Sequence, residues 1–575
     1  MNPPVVRPGA GVGGPGQPAC RLAGALACLA VAAGLVALVA ASRPYAWRGP
    51  AAAEPYNLMV DGFRRGHTWM AKDAPPALLA AGNPYDFGTY RQFLGPPWGL
   101  IDLSYFKGHL YAYFGAAPAV LLFWPYRALT GHYAHEAAAV LAFSLVGLLA
   151  ACALLEDVRR RCFPRVGPLG AACGVVLAGS LSTLPVLLAR PGLFEVSISC
   201  GFMLLMLCLC ALWRSRHSAG RAAWIAAASL AYGLAVGSRP TLLFGAFILF
   251  LPALGAARRG PAWAWLRDFL AALVPIGLVG LGLAAYNHAR FGSALQFGHD
   301  YQLSGNDVYG RSSFAWHFLR DNVRLYFLAA PRWHPGFPFI WEPVAPALSA
   351  DHLPIEFFFG VLPAFPALLL AAAAPRRAPA GALWALFVAL ALPICLYAGA
   401  TSRYLADFVP ALALLAVAGF WRLAGPAAGA VRWPVRALFA FSVANAWLLA
   451  AALCGFYRGA EDGARLLAQG RLAEAEGAYA RVCGIDPDFR GQADMALGVA
   501  SLSKGFVPKA AAYLVRAAAE EPRLEAAQYN LGIAYLYEGR RADAAKALGR
   551  ALAIDPSDAQ ARGILRQLEA PRAGK

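Results

Sequence analysis

A soluble chain of 575 residues would divide into several domains, but 59% hydrophobic and only 14% charged residues leave too much apolar surface to hide from water. A bilayer accepts such surface in stretches of about 20 residues, so the composition predicts a polytopic membrane protein and excludes a disordered chain, a secreted disulfide scaffold and an ordinary cytosolic enzyme. The net charge of +18 is no nucleic-acid signature: after about Gly459, 16 Lys and Arg face 15 Asp and Glu, so the surplus, 34 against 17, lies in the apolar part and reads as orientation signal and lipid contact.

Residues 1–21 are rich in Pro and Gly and are expected to be disordered. The apolar run Leu22–Ala41 is longer than a signal-peptide core and reads as a retained first span. Further spans are expected near 136–155, 167–189, 195–213, 222–237, 240–256, 269–287, 354–374, 381–399, 404–421 and 437–456, about eleven in all. Their connectors alternate. Arg159, Arg160, Arg161 and Arg165 fill one; Arg214, Arg216 and Arg221 another; then come Arg258, Arg259 and Arg267, Arg376 and Arg377, and Arg422, Arg432 and Arg436. Those between carry Arg190, Arg239 or Arg403. Basic loops stay in the cytoplasm, which puts the N-terminus inside. The stretch Leu110–Leu129, with Pro118 and Pro125, would break the alternation as a span and reads as an interfacial or re-entrant segment on the outer face. Two long connectors, 43–135 and 288–353, then lie outside the cytoplasm with nine of the ten histidines; a polar active-site mouth and mere avoidance of the bilayer both account for that.

The eleven cysteines are scattered, mostly in apolar segments, without zinc or redox spacing. No Gly-rich nucleotide loop, G-x-S-x-G elbow, HExxH or P-loop stands in a credible context. No cofactor is implied; a metal held by His132, His135 and Glu136 rests on spacing alone.

Past the last span, Gly470, Gly505 and Gly539 recur at intervals of 35 and 34 residues, each followed by an alanine (Ala475, Ala510, Ala544) and a proline (Pro487, Pro522, Pro556). The stretch NLGIAYLYEGRRADAAKALGRALAIDPSD is the best copy. The pattern, over about 459–568, resembles the tetratricopeptide repeat, in which small residues let paired helices approach and each repeat buries its face on the next. Such a unit implies a protein or peptide partner, here on the non-cytoplasmic side.

Four outer stretches carry the chemistry. They are AAAEPYNLMVDGF, early in the first long connector; WGLIDLSYFKGHLYAYFGAAP, later in it; YNHARFGSALQFGHD, opening the second; and TSRYLADFVPAL, at the start of the tenth span. Together, over about residues 22–457, they resemble the polytopic glycosyltransferases of the GT-C fold, of the dolichyl-phosphate-mannose or aminoarabinose transferase type. The resemblance implies an all-α membrane enzyme of the cell envelope, in a bacterial inner membrane. It would move a sugar from a polyprenyl phosphate to a protein or glycan acceptor on the outer face. An attacking acceptor loses a proton, so a carboxylate base is needed, and the lipid phosphate needs cationic partners. Glu54 is the first candidate base, where the family's acidic pair reads Ala53–Glu54, and Asp61, two helical turns on, is the second. An acid favouring the helix dipole would equally fit Glu54. Candidates for donor binding are Lys107, His109, Arg290, Arg403 and Tyr404, with an Arg403–Asp407 ion pair as the structural alternative for Arg403. An oligosaccharide ligase or polymerase, a transporter and a tetratricopeptide assembly scaffold are the competing classes.

Overall fold

The computed structural model describes residues 17–46, 49–95, 98–113, 115–257, 261–305, 313–424, 426–556 and 558–569. Of the expected disordered segment, residues 1–16 lie outside this range, as do Arg258 and Arg259 of the connectors. Gln17–Arg21, however, already belong to the first helix.

The chain is an all-α bundle followed by stacked helical hairpins. Eight helices among the described residues are long and apolar enough to cross a membrane. The bundle consists of α1 (Gln17–Ala46), α2 (Pro55–Arg64, outside the spans), α3 (Glu136–Cys162), α4 (Pro168–Leu181), α5 (Leu193–Ser215), α6 (Arg221–Ser238), α7 (Pro240–Ala257), α8 (Ala262–Phe291), α9 (Ala378–Cys395), α10 (Leu405–Leu423) and α11 (Arg432–Ala468).

Three of the eleven expected spans are not full apolar helices. Helix α4 stops after 14 residues because Thr183 takes a left-handed φ of 64°, and a short turn, Leu184–Leu188, finishes the run. The 354–374 stretch breaks at Phe365 (φ −128°, ψ 65°), as residues before proline tend to. It continues as a 3₁₀ segment, Pro366–Ala373, whose longer rise per residue covers more depth. Helix α6 has 18 residues but is less apolar than the eight.

Each of these three segments nevertheless runs from one end of the bundle to the other. At one end the Gly170 carbonyl accepts from Trp421, Arg221 pairs with Asp268, and the Ala373 carbonyl accepts from Arg422. At the other, Arg190 donates to Tyr457, Arg239 pairs with Asp407, and Glu356 pairs with Arg403. The first end also holds Gln17, which accepts from Arg159, and so gathers the N-terminal helix start with the arginine-rich connectors.

The Leu110–Leu129 stretch does not cross. It forms the end of a hairpin, β1 (Leu103–Phe106) with β2 (His109–Ala112), then a π-turn, Ala119–Phe123, and a short helix, Trp124–Thr130. A third strand, β3 (Gln302–Leu303) from the second long connector, pairs with β1 and so joins the two connectors.

Helix α11 runs unbroken for 37 residues out of the bundle and into the repeats. Its distal part pairs with α12 (Leu472–Ile485); α13 (Arg490–Ser503) pairs with α14 (Val507–Glu520), α15 (Glu525–Tyr537) with α16 (Arg541–Ile554), and α17 (Ala559–Glu569) ends the stack. Gly470, Gly505 and Gly539 all sit at a φ of 75–77° in the turn inside a hairpin, the conformation that glycine alone adopts freely. Inside each hairpin a second glycine (Gly463, Gly498, Gly532) lies against Tyr479, Leu514 or Leu548 so closely that a Cβ would fall 2.4–2.7 Å away. Three equivalent hairpins therefore stand on the three glycines that recur in the sequence.

The stack sits on the same end of the bundle as the two long connectors. Arg332 reaches Asp488 at 2.8 Å and Asp486 at 3.3 Å, Arg91 reaches Asp555 at 3.1 Å, and Trp341 stacks on Phe456 with centroids 5.1 Å apart.

Candidate functional site

The first long connector leaves α1 and enters α2 through Pro50 and Pro55; Pro55 suits the first helical turn, where its missing N–H costs nothing. Glu54, the residue before α2, does not cap its own helix. Its Oε2 instead accepts from the Glu136 backbone N–H at 2.6 Å, at the start of α3, and its Oε1 accepts from His135 Nδ1 at 2.9 Å. An anion at a helix N-terminus is favoured by the unpaired N–H groups and the helix dipole. The dipole role foreseen for Glu54 thus exists, toward α3 rather than α2. Burial pushes the Glu54 carboxyl above its ordinary 4.5, while the bonds from His135 and Glu136 pull the other way.

Asp61, at 2.7 Å, accepts from the Tyr133 hydroxyl and lies 3.8 Å from Arg64. Both candidate carboxylates are therefore fastened to one short segment, Tyr133–Glu136, as two acids on one side of a helix allow. His135 belongs to Glu54, and no cluster of three His, Cys, Asp or Glu groups placed to hold a metal occurs among the described residues.

The Glu136 side chain is buried beneath this segment, accepts from the Tyr56 N–H at 3.3 Å, and feels the charges of both Glu54 and Glu195. Glu195, in the first turn of α5, lies 3.6 Å from Arg403. A row of three carboxylates thus leads from Glu54 to Arg403.

Arg403 sits in a 3₁₀ turn, Ser402–Tyr404, that opens α10. Its guanidinium lies over the Phe194 ring at 4.2 Å, donates to Thr401 Oγ1 at 3.4 Å and pairs closely with Glu356. Nη1 is the atom that faces Glu195; it is buried and makes no hydrogen bond among the described residues. The Arg403–Asp407 pair does not form: Asp407 takes a two-pronged bond from Arg239, at 2.6 and 3.2 Å, and a third from Thr241. Asp407 lies one turn along the chain from Arg403, but Arg239, in the junction between α6 and α7, supplies the nearer cation. Tyr404 stacks under Arg239, 5.4 Å from its guanidinium carbon.

Arg290, in the last turn of α8, donates to the Ala112 carbonyl at 3.2 Å and to Asn287 at 2.7 Å, and lies over the Tyr286 and Phe291 rings. Its Nε is also buried with no hydrogen-bond partner among the described residues. Tyr113, next to Ala112, is within electrostatic reach of Tyr404, Arg239 and Asp102, so β2 connects the Arg290 group to the Arg403 group.

Lys107 and His109 are not drawn into this cluster. Lys107 is exposed at the tip of the β1–β2 hairpin with a φ of 48°, and His109 stacks on Trp69 at 4.0 Å. Their neighbourhood is a surface aromatic stack, continued by His67 on the other face of Trp69.

Three acids of the site escape sequence reasoning. Glu195 and Glu356 come from different crossings, and nothing in their local pattern sets them apart. Asp102 carried one readable sign, a Gly-Leu-Ile-Asp turn ahead of a strand. It adopts a left-handed φ of 57°, accepts from Gln302 at 2.7 Å and senses both Arg403 and Glu356. Burial pushes its carboxyl above the ordinary 3.8, against the bond from Gln302 and the charge of Arg403. A non-glycine residue in that region is uncommon and concentrates at functional sites.

The tetratricopeptide repeat family matches residues 525–558. No curated protein matches the sequence. Among solved structures, the chain is similar to ArnT from Cupriavidus metallidurans bound to undecaprenyl phosphate, at 16% identity over 91% of this chain and 79% of that one, with a TM-score of 0.41. Its likeness to the same protein in the apo state has 15% identity, 81% and 74% coverage, and a TM-score of 0.37. Likenesses this loose leave the chemistry of the site to its own residues.

Proposed function

We propose that this membrane protein is a glycosyltransferase that takes a sugar from a polyprenyl phosphate at the loop-bearing end of the bundle. The observation that carries the reading is the pair of buried guanidinium donors that make no hydrogen bond among the described residues, Arg403 Nη1, which faces Glu195 at 3.6 Å, and Arg290 Nε. Buried N–H groups without a partner are rare in folded proteins, and guanidinium groups match phosphate oxygens in shape and charge. The apolar helices around them suit a polyprenyl tail; Glu195 and Glu356 hold Arg403, and Asn287 and the Ala112 carbonyl hold Arg290, in place before the lipid arrives.

In this reading Arg403 and Arg290 bind the donor phosphate and stabilise the charge that grows on it as the glycosidic bond breaks. Tyr404 positions Arg239 behind them. Glu54 takes the proton of the attacking acceptor; its raised carboxyl is better matched to that task near neutral pH than an ordinary glutamate. Asp61 is the alternative within the same segment. A second reading gives the base to Asp102, favoured by its left-handed backbone and its electrostatic contact with Arg403. Lys107 and His109 meet the acceptor or the lipid surface at the rim. The catalytic part spans about 22–457 and the repeats about 459–568. The latter face the non-cytoplasmic side of a bacterial inner membrane and bind a protein partner or the acceptor protein itself.

The test is transfer from radiolabelled polyprenyl-phosphate sugars in proteoliposomes. Arg403→Lys keeps the charge and removes the fork, so donor KM should rise at least about tenfold while the protein still folds. Unchanged donor dependence in both Arg403→Lys and Arg290→Lys would remove the phosphate site and the reading with it.

A further inference from the structure

A cavity of about 640 Å³ opens at the opposite, arginine-rich end of the bundle. Its size lies within the range of ligand sites, about 300–1,000 Å³. It is walled by the last turns of α3, α5, α7 and α10 and by the first turns of α6, α8 and α9. Trp421 in its wall stands 18 residues along the chain from Arg403, about 27 Å at helical rise. The cavity therefore sits a membrane's depth away from the site described above.

Its chemistry is that of an amphiphile's berth. The deep wall is aliphatic and aromatic, with Leu154, Leu209, Leu386 and Trp421 among its residues. The rim carries Arg216, Arg221, Arg267 and Arg377 against a single acid, Asp268. Asp268 is wholly buried and is shared by Arg221 at 2.5 Å and Arg267 at 3.0 Å. One carboxylate thus anchors two guanidinium groups and neutralises only one, leaving the rim with a surplus of cations over apolar walls. His217, also on the rim, is held below its ordinary value by burial and by Arg161 and Arg216, so the surplus rests on the arginines.

We propose that this cavity holds an anionic diacyl phospholipid of the cytoplasmic leaflet, its chains along the aliphatic wall and its phosphate on Arg267 and Arg377. The basic connectors orient this end to the cytoplasm, where anionic headgroups are concentrated and each nearby Lys or Arg adds attraction. A zwitterionic lipid offers the same chains but returns the charge, so the rim selects for net negative headgroups. The site does not depend on the transferase reading, and either can fail alone.

The experiment uses the full chain in mild detergent, given equal amounts of phosphatidylglycerol and phosphatidylcholine and examined by native mass spectrometry. Retention of phosphatidylglycerol over phosphatidylcholine by about tenfold is expected. Arg267→Gln/Arg377→Gln should bring the ratio close to one, and Arg432→Gln/Arg436→Gln, which removes as much charge from that end outside the cavity, should leave it. If the first double variant fails to fold, Arg377→Gln alone, on an exposed side chain, carries the same test with a smaller loss. Equal retention of the two lipids, a preference that survives in the cavity variants, or displacement of phosphatidylglycerol by equimolar undecaprenyl phosphate would overturn the proposal.

Discussion

Arg239 grips Asp407 through two bonds, at 2.6 and 3.2 Å, and thereby withholds from Arg403 the acid that lies one turn away from it on the same helix. Two arginines that look alike in sequence are separated in this way: one is locked to Asp407 by a two-pronged hydrogen bond, the other is held by Glu356 and, at the longer distance of 3.6 Å, by Glu195.

Removing the lock should be a stability event. Asp407→Asn leaves the Arg239 charge buried with no counter-ion, and breaking a buried pair from one side costs about 3–5 kcal/mol. Thermal melting in detergent should show a large fall for Asp407→Asn and little change for Arg403→Lys. Comparable melting of the two variants would contradict the division of roles.

Glu54→Gln keeps the side chain's shape and one acceptor for the Glu136 N–H, so the fold should hold while turnover drops by about 10²–10⁴. Parallel loss of transfer in Asp61→Asn or Asp102→Asn instead would move the base to that residue.

The pH dependence has a definite sign. The Glu54 carboxyl is raised above 4.5 by burial, and a base must be deprotonated to act. The acid limb of kcat/KM should therefore fall at a pH above 4.5 and flatten in Glu54→Gln. For stability the same shift works in reverse: the fold favours the protonated form, so its contribution is present at low pH and is lost as pH rises through the folded value. An acid limb at or below 4.5 would rule Glu54 out as the titrating group.

Orientation is checked with reporters. An enzyme active only outside the cytoplasm should work when fused behind Lys575, and a cytoplasm-only reporter should work in the connector between α3 and α4 that carries Arg165, just past Arg159–Arg161 in the last turn of α3. The repeats and the long connectors share one end of the bundle, so a cytoplasmic repeat stack would carry the whole proposed site inside with it.

Within the repeats, two glycines should behave oppositely. A Cβ at Gly498 would lie 2.6 Å from Leu514, whereas one at Gly477 meets nothing within 4 Å. Gly498→Val should destabilise the central hairpin by about 1–3 kcal/mol, and Gly477→Ala should stabilise its helix by roughly 0.5–1 kcal/mol. Hydrogen exchange over residues 490–520 and 472–485 of the full chain separates the two.

The repeats were legible because their marker residues are local: Gly470, Gly505 and Gly539 turn the backbone where their own φ is needed, and spacing alone exposes them. Apolar length likewise predicted the bundle, yet it could not show that Thr183 turns left-handed or that Phe365 breaks a run, since hydropathy averages over such single residues. The site was legible only in part. Glu54, Arg290 and Arg403 stand out as charged residues near the ends of apolar segments. Their partners do not: Glu195, Glu356 and Arg239 reach Arg403 and Asp407 from separate crossings, and which cation claims which acid is decided by packing across the bundle. Asp102 was hidden for the same reason, its role resting on a strand contributed by residues 302–303.

Helix α11 has no joint between bilayer and repeat stack, and over 37 residues it is a rod about 55 Å long. Its lower half packs on α1 and α4, and its upper half is the first helix of the stack. Tyr457, on the rod, also holds Arg190 beside the Arg403 pocket. A single continuous helix therefore carries the last crossing, the contact beside the Arg403 pocket and the first helix of the stack, so the spacing between that pocket and the repeats is set by helical rise alone.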